Sequence, residues 1–387
     1  MNNFNLSTPT RILFGKGAVA ELPHHIPAGA RILLTYGGGS VKKTGVLDQV
    51  MARLTHFEVI QFGGIESNPS YEIAMEAVDI VKRQNIDFLL AVGGGSVVDA
   101  TKFIAAAARY ADGADPWEIL ETFGDHISDA LPMGSVMTLP ATGSESNPAA
   151  VISRKATGDK RLFESDFVRP HFAVLDPEYS YTLPVRQVAN GVVDAFIHTI
   201  EQYLTYPVEA KIQDRFAEGI LLTLVEEGPR ALAEPENYSV RANITWAATM
   251  ALNGLIGAGV PQDWTSHQMG HEVTAMHGID HAQTLAAILP ALMNEKRDAK
   301  CAKLLQLGAR VWNITEGTVD ARIDATIAAT RAFFEQMGLA TRLRNCGLDG
   351  SSIPALVAKL EEHGAVAMGE HKDITPDVSR RIYEAAL

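Results

Sequence analysis

The chain has 387 residues, a formal net charge of −13 and only two cysteines, Cys301 and Cys346. That length supports two or three domains with large cores. The acidic balance argues against nucleic acid or an anionic membrane surface as the main partner, and two cysteines are too few for a disulfide framework, which fits a reducing compartment.

Short apolar runs alternate with helical patterns through the first half. Residues 31–36 (RILLTY) read as a strand, followed by GGGS at 37–40 and a helix from about Thr44. Residues 57–62 (FEVIQF) are a second strand, and 68–70 (NPS) open the next helix. Residues 87–92 (DFLLAV) are apolar almost throughout, as a strand buried on both faces should be. GGGS at 93–96 follows, with an alanine-rich helix to about Arg109, and further strands at 135–139 and 172–175. This rhythm predicts a doubly wound parallel sheet, α/β in class. After Asp176-Pro177 the pattern becomes amphipathic helix to the end, with breaks at Gly228-Pro229, Glu234-Pro235-Glu236, 257–261, Gly278 and 347–354. We therefore expect an α/β domain over 1–178 and an all-helical domain over 179–387. The N-terminal MNNFNLSTPTR lacks an apolar signal core and no run is long enough to span a bilayer, so a cytoplasmic protein is expected.

Three loops leave strand ends. GGGSVVDATK (93–102), containing Gly94, Gly95, Ser96 and Asp99, joins a buried strand to a helix, where free amides and small residues suit a phosphate. It is not a GxGxxG fingerprint, because Val98 stands at the last glycine position. The loop with Gly38, Gly39 and Ser40, and the hydroxyl-rich LPATGSESN (139–147), join it. Loops at the carboxyl ends of neighbouring strands converge on one crevice, and three of them fit a dinucleotide. An NAD enzyme commonly sets an acid at a strand end for the ribose hydroxyls. YGGGSVKK has none, and its Ser40, Lys42 and Lys43 suit a 2′-phosphate, favouring NADP(H).

In NGVVDAFIHTIEQ (190–202), Asp194 and His198 share one face of an apolar helix. Residues 267–281, HQMGHEVTAMHGIDH, hold four of the twelve histidines and no lysine or arginine. Histidines with a carboxylate around a divalent ion, one position left open, form a catalytic arrangement. Spacing alone leaves open which histidines ligate. His267 and His281 would lie about 21 Å apart on one straight helix. Gly278 reads as a helix stop, with Asp280 as cap and Gln283 three residues on, so the chain folds back.

The motifs GGGSVVDATK, LPATGSES, AVLDPEYSYTLPVRQVANGVVDAFIHTIEQ and HQMGHEVTAMHGIDH resemble the iron-containing, group III alcohol dehydrogenase family over nearly the whole chain. YGGGSVKKTGVLDQV is similar to its NADPH-dependent aldehyde reductase and butanol dehydrogenase branch. The resemblance implies a Rossmann-like N-terminal domain, a helical C-terminal domain of the dehydroquinate synthase-like fold, and an active site in the cleft between them. It implies Asp194, His198, His267 and His281 as ligands of one Fe2+ or Zn2+ ion, His271 near the nicotinamide and His277 near the substrate. It implies Gly94, Gly95 and Ser96 at the pyrophosphate, Gly38 and Ser40 at the adenosine end, and Thr138, Thr142, Asn147 and Lys160 along the nicotinamide. Asn147 departs from the family, which often has threonine there. The expected activity is reversible hydride transfer between NADPH and a small, uncharged aldehyde, by a homodimer without nucleic-acid or membrane partners. Leu255, Ile256, Val260 and Trp264 would favour short substrates. The rival readings are a dehydroquinate synthase-like lyase, which needs basic residues that 190–202 and 264–293 lack, and a non-catalytic nucleotide or metal sensor.

Overall fold

The computed structural model describes residues 1–111 and 113–387. They form two compact units: Ser7–Leu183 with Pro235–Thr249, and Met1–Leu6 with Pro184–Glu234 and Met250–Leu387. The units are thus not the contiguous spans 1–178 and 179–387. The first run of the sheet unit ends after Leu183 because the turn following the last strand stays with the sheet. Asp176 accepts a hydrogen bond from Glu178 N at 3.0 Å and another from Gly17 N at 2.7 Å. Segment 235–249 returns to the same unit. Tyr238 Oη accepts from Lys16 N at 3.2 Å, and the Trp246 ring stands edge-on to Phe14 with centroids 5.9 Å apart.

The sheet unit is built on six parallel strands: β1 (Arg11–Phe14), β2 (Arg31–Gly37), β3 (Glu58–Ile65), β4 (Phe88–Gly93), β5 (Met133–Met137) and β8 (Phe172–Leu175). Their order is β1-β8-β5-β4-β2-β3. Central β4, FLLAVG, is buried at every position, which is why it lacks the alternation of a half-exposed strand. Leu89 and Ala91 face one apolar cluster with Phe103 and Ile104; Phe88, Leu90 and Val92 face another with Val136 and Phe172. The sheet is thus covered on both faces. β6 (Ala149–Arg154) and β7 (Asp159–Glu164) form a separate antiparallel hairpin.

From β2 the chain runs outward to β3; from β4 it runs the other way, to β5. The point where the order reverses lies between the carboxyl ends of β2 and β4, where α/β sheets bind ligands. The register keeps these ends level, pairing Tyr36 with Val92 and Gly93 with Met137.

The helical unit includes helices Val185–Tyr203, Lys211–Ala233, Thr265–His277 and His281–Glu295. The expected break at Gly228-Pro229 does not occur: helix Lys211–Ala233 runs through both residues. Packing explains this, since a β-carbon on Gly228 would lie 2.9 Å from Val192 Cγ1, and close burial overrides local propensity. Among the described residues no helix is long and apolar enough to cross a membrane.

Candidate metal and dinucleotide sites

Helix Val185–Tyr203 is buried on almost every side, so its polar groups must find partners inside the protein. Asp194 and His198 lie one turn apart, with Asp194 Oδ1 3.7 Å from His198 Nε2. Helix Thr265–His277 brings His267, and helix His281–Glu295 begins with His281. Gly278, at φ 68°, ends the first of these and turns the chain back, as the sequence suggests. Asp280 stands at the cap position but does not cap. Its carboxylate accepts from Asn190 Nδ2 at 2.9 Å and pairs with Arg186 at 2.7 Å. Gln283 likewise serves another segment, its amide pairing with the backbone of Ala340 at 2.5 and 3.1 Å.

The fold-back brings His267 Nε2 to 3.7 Å and His281 Nε2 to 3.9 Å from Asp194 Oδ1. One donor atom from each of these three residues lies within 4.8 Å of the others. A tetrahedral ion with bonds of about 2.1 Å sets its donors about 3.4 Å apart. His267 Nε2 is buried with no hydrogen-bond partner, which would be costly unless it has a metal to bind. The residues present therefore fit a divalent cation. His198 stacks on His267 with ring centroids 4.7 Å apart, while Trp264 stands edge-on to His267 at 5.5 Å. Trp264 thus borders the cluster, whereas Ile256 is core, 1% exposed.

The two stacked imidazoles titrate in opposite directions. Burial lowers His198 to about 4, against the pull of Asp194. Burial also works to lower His267, but the Glu201 and Asp194 carboxylates outweigh it and raise it to about 9. A cation competes with that proton for His267. Glu201 was not singled out in the sequence. Its carboxylate pairs with His267 Nδ1 and accepts from Ser266 N at 2.9 Å. The signal was present: Glu201 lies seven residues after Asp194, on the same helix face. His271 lies beside the cluster, its ring 4.9 Å from that of His281. His277 is exposed in the last turn of its helix.

In the sheet unit, the three loops leave the ends of β2, β4 and β5, with β4 lying between the other two. A β-carbon on Gly95 would come within 2.4 Å of Thr142 Oγ1, so the second and third loops touch only because that residue is glycine. Gly94 is the cap residue of helix Gly95–Ala107 and offers no side-chain bond, leaving the first amides to a ligand. Ser96 is half-buried and Thr138 N donates to Gly93 O at 2.9 Å. At the β2 end, Gly39 has φ 102°, and Gly38, Ser40, Lys42 and Lys43 are exposed, with Lys42 Nζ 4.6 Å above the Tyr36 ring. No carboxylate stands among residues 37–43.

Other expected cofactor residues are engaged by the protein itself. Asp99 accepts from Ser144 Oγ at 2.6 Å and Val151 N at 3.1 Å. Asn147 Oδ1 accepts from buried Lys102 at 2.9 Å and its Nδ2 donates to Thr142 O at 3.3 Å. Lys102 also donates to Ser144 Oγ at 2.9 Å and Ala149 O at 2.7 Å. Asp99 and Lys102, one turn apart on the helix, thus pin the 139–147 loop from below. Lys160, on β7, donates to Asn68 Oδ1 at 2.8 Å.

A doubly wound sheet with glycine loops at its switch point and a histidine–carboxylate cluster on buried helices define a metal- and dinucleotide-binding protein. Residues 9–177 match the iron-containing alcohol dehydrogenase family and residues 188–387 match the C-terminal region of the same family. The chain belongs to the iron-containing alcohol dehydrogenase family. It is 72% identical over 386 residues to the NADPH-dependent aldehyde reductase YqhD of Escherichia coli, covering 100% of both chains. It is 38% identical over 392 residues to a probable NADH-dependent butanol dehydrogenase of Bacillus subtilis, again covering 100% of both. The crystal structure of E. coli YqhD superposes with a TM-score of 0.99 at 71% identity, covering 100% of this chain and 99% of that one. These findings bear out the resemblance and the fold class that the sequence suggests.

Proposed function

We propose that the protein is a metal-dependent NADPH aldehyde reductase and alcohol dehydrogenase that acts on short- to medium-chain aldehydes. The observation that carries this reading is the approach of His198, His267 and His281 to within 4 Å of one carboxylate oxygen, in a chain 72% identical to an NADPH-dependent aldehyde reductase. Asp194, His198, His267 and His281 would hold the ion. When bound, a divalent ion polarises a carbonyl oxygen as a Lewis acid, and NADPH supplies the hydride.

The chain's own residues do the rest. Trp264 and the buried helix walls exclude water from one side of the cluster, which strengthens every charge interaction there. His271, half-buried beside His281, holds a proton at an imidazole nitrogen for the alcohol oxygen. Exposed Ser40, Lys42 and Lys43 bind the 2′-phosphate that distinguishes NADPH from NADH, and Gly94, Gly95 and Ser96 receive the pyrophosphate. We infer a cytoplasmic homodimer, a reading supported by the low cysteine count and the family resemblance.

NADPH oxidation with butanal tests this. The Asp194→Ala variant should lose turnover by three orders of magnitude or more, as roughly 4 kcal/mol of lost transition-state stabilisation requires. Turnover within tenfold of the parent would contradict the assignment.

A further inference from the structure

Glu201 lies at a junction that the metal assignment leaves unused. It is 2% exposed and comes from the same helix as Asp194 and His198. One carboxylate oxygen accepts from two backbone amides, Ser266 N at 2.9 Å and His267 N at 3.3 Å. These are in the first turn of helix Thr265–His277, whose own cap residue, Trp264, makes no side-chain capping bond. Glu201 therefore caps that helix from a neighbouring one. Its other oxygen faces His267 Nδ1 at hydrogen-bonding distance. A carboxylate only accepts, so Nδ1 keeps its hydrogen and Nε2, the atom directed at Asp194, is the nitrogen that yields its proton to a cation. Asp263 N donates to Glu201 O at 2.8 Å, and Asp263 is tied to buried Lys300 at 2.9 Å, so the backbone on both sides of this contact is held.

We propose that Glu201 is the positioning residue of the metal site, fixing the His267 tautomer that ligates through Nε2. This rests on the metal reading above. It makes a prediction that a plain helix-capping role does not. In Glu201→Gln, the amide oxygen is drawn to the two backbone N–H donors, as the carboxylate oxygen was. The amide NH2 then faces His267 Nδ1 and donates to it. The imidazole must move its hydrogen to Nε2, where it blocks the metal. A glutamine thus preserves the cap and reverses the tautomer.

The test uses the full-length, metal-stripped protein, with zinc affinity read by competition against a chromophoric chelator. Outer-sphere partners of ligating histidines typically contribute 10- to 100-fold in affinity. Glu201→Gln should therefore bind zinc at least tenfold more weakly, while its metal-free melting temperature and its NADPH affinity stay near those of the parent. Cobalt-loaded parent and variant should also differ in their visible absorption. If the glutamine variant does not fold, Glu201→Asp, which keeps an acceptor-only group on a shorter stem, is read in its place and should also bind more weakly. Zinc affinity within twofold of the parent in the folded variant overturns the proposal. Equal zinc affinity in the parent and His267→Ala would instead overturn the metal reading itself.

Discussion

Gly270 and Thr284 lie so close that a β-carbon on the glycine would stand 2.8 Å from the threonine hydroxyl. The threonine is itself tied down, donating to His281 O at 2.7 Å and sharing Gly270 O at 3.3 Å. This contact sets the spacing of the two helices that carry His267 and His281, whose rings stand 5.1 Å apart. Alanine normally favours a helix interior over glycine by about 1 kcal/mol. Here overpacking, typically about 1–3 kcal/mol, opposes it. Gly270→Ala should lower stability or leave it nearly level, and should weaken zinc binding more than it lowers the melting temperature. Calorimetry and chelator competition on the same sample check this.

The two ligand-binding functions should separate by variant. His267→Ala and His281→Ala remove donors that the helical unit supplies, whereas the glycine loops belong to the sheet unit. Both should abolish metal retention, measured as metal per chain after dialysis, while NADPH still binds by fluorescence titration within about threefold.

Exposed Lys42 and Lys43 follow a strand end that carries no acidic residue. A hydrogen bond to a charged group is worth about 1.5–3 kcal/mol, roughly a ten- to hundredfold change in affinity. Replacing both lysines with glutamate should raise the NADPH KM by at least tenfold and change that for NADH far less. Equal effects on the two cofactors would place the 2′-phosphate elsewhere.

Lys102 is fully buried, and that burial lowers it to about 7 against the opposing pull of Asp99 and Glu145. An unfolded lysine keeps its proton up to about 10.4. Between pH 7 and 10 the unfolded chain therefore holds the extra proton, so this group makes stability rise with pH. Relative to Lys102→Met, the parent's urea midpoint should climb from pH 7 to pH 10. The variant itself should be less stable throughout, since it leaves Ser144, Asn147 and Ala149 without their donor.

Much of this was legible in the chain. Residues 31–36, 87–92 and 172–175 declare themselves as strands because a parallel sheet covered on both faces demands continuous apolar runs. The edge strand Arg11–Phe14 was not legible: it is four residues long and only partly buried, so it carries little pattern. The hairpin of β6 and β7 was hidden by its charged residues, such as Arg154, Lys160 and Arg161. Asp280 and Gln283 looked like a capping pair by spacing, but distant partners, Arg186, Asn190 and Ala340, claimed their side chains. Asp194 and the histidines were visible because polar groups stand out in apolar helices. The bonds of Asp99 and Asn147 within the protein were not legible, because they depend on Ser144, Val151 and Lys102, whose proximity only folding creates.

The most direct measurement is NADPH consumption with butanal, before and after chelation and again after adding iron or zinc. The metal-site account predicts that turnover vanishes on stripping, although NADPH still binds, and returns with at least one of the two ions. Undiminished turnover in protein verified to be metal-free would contradict it.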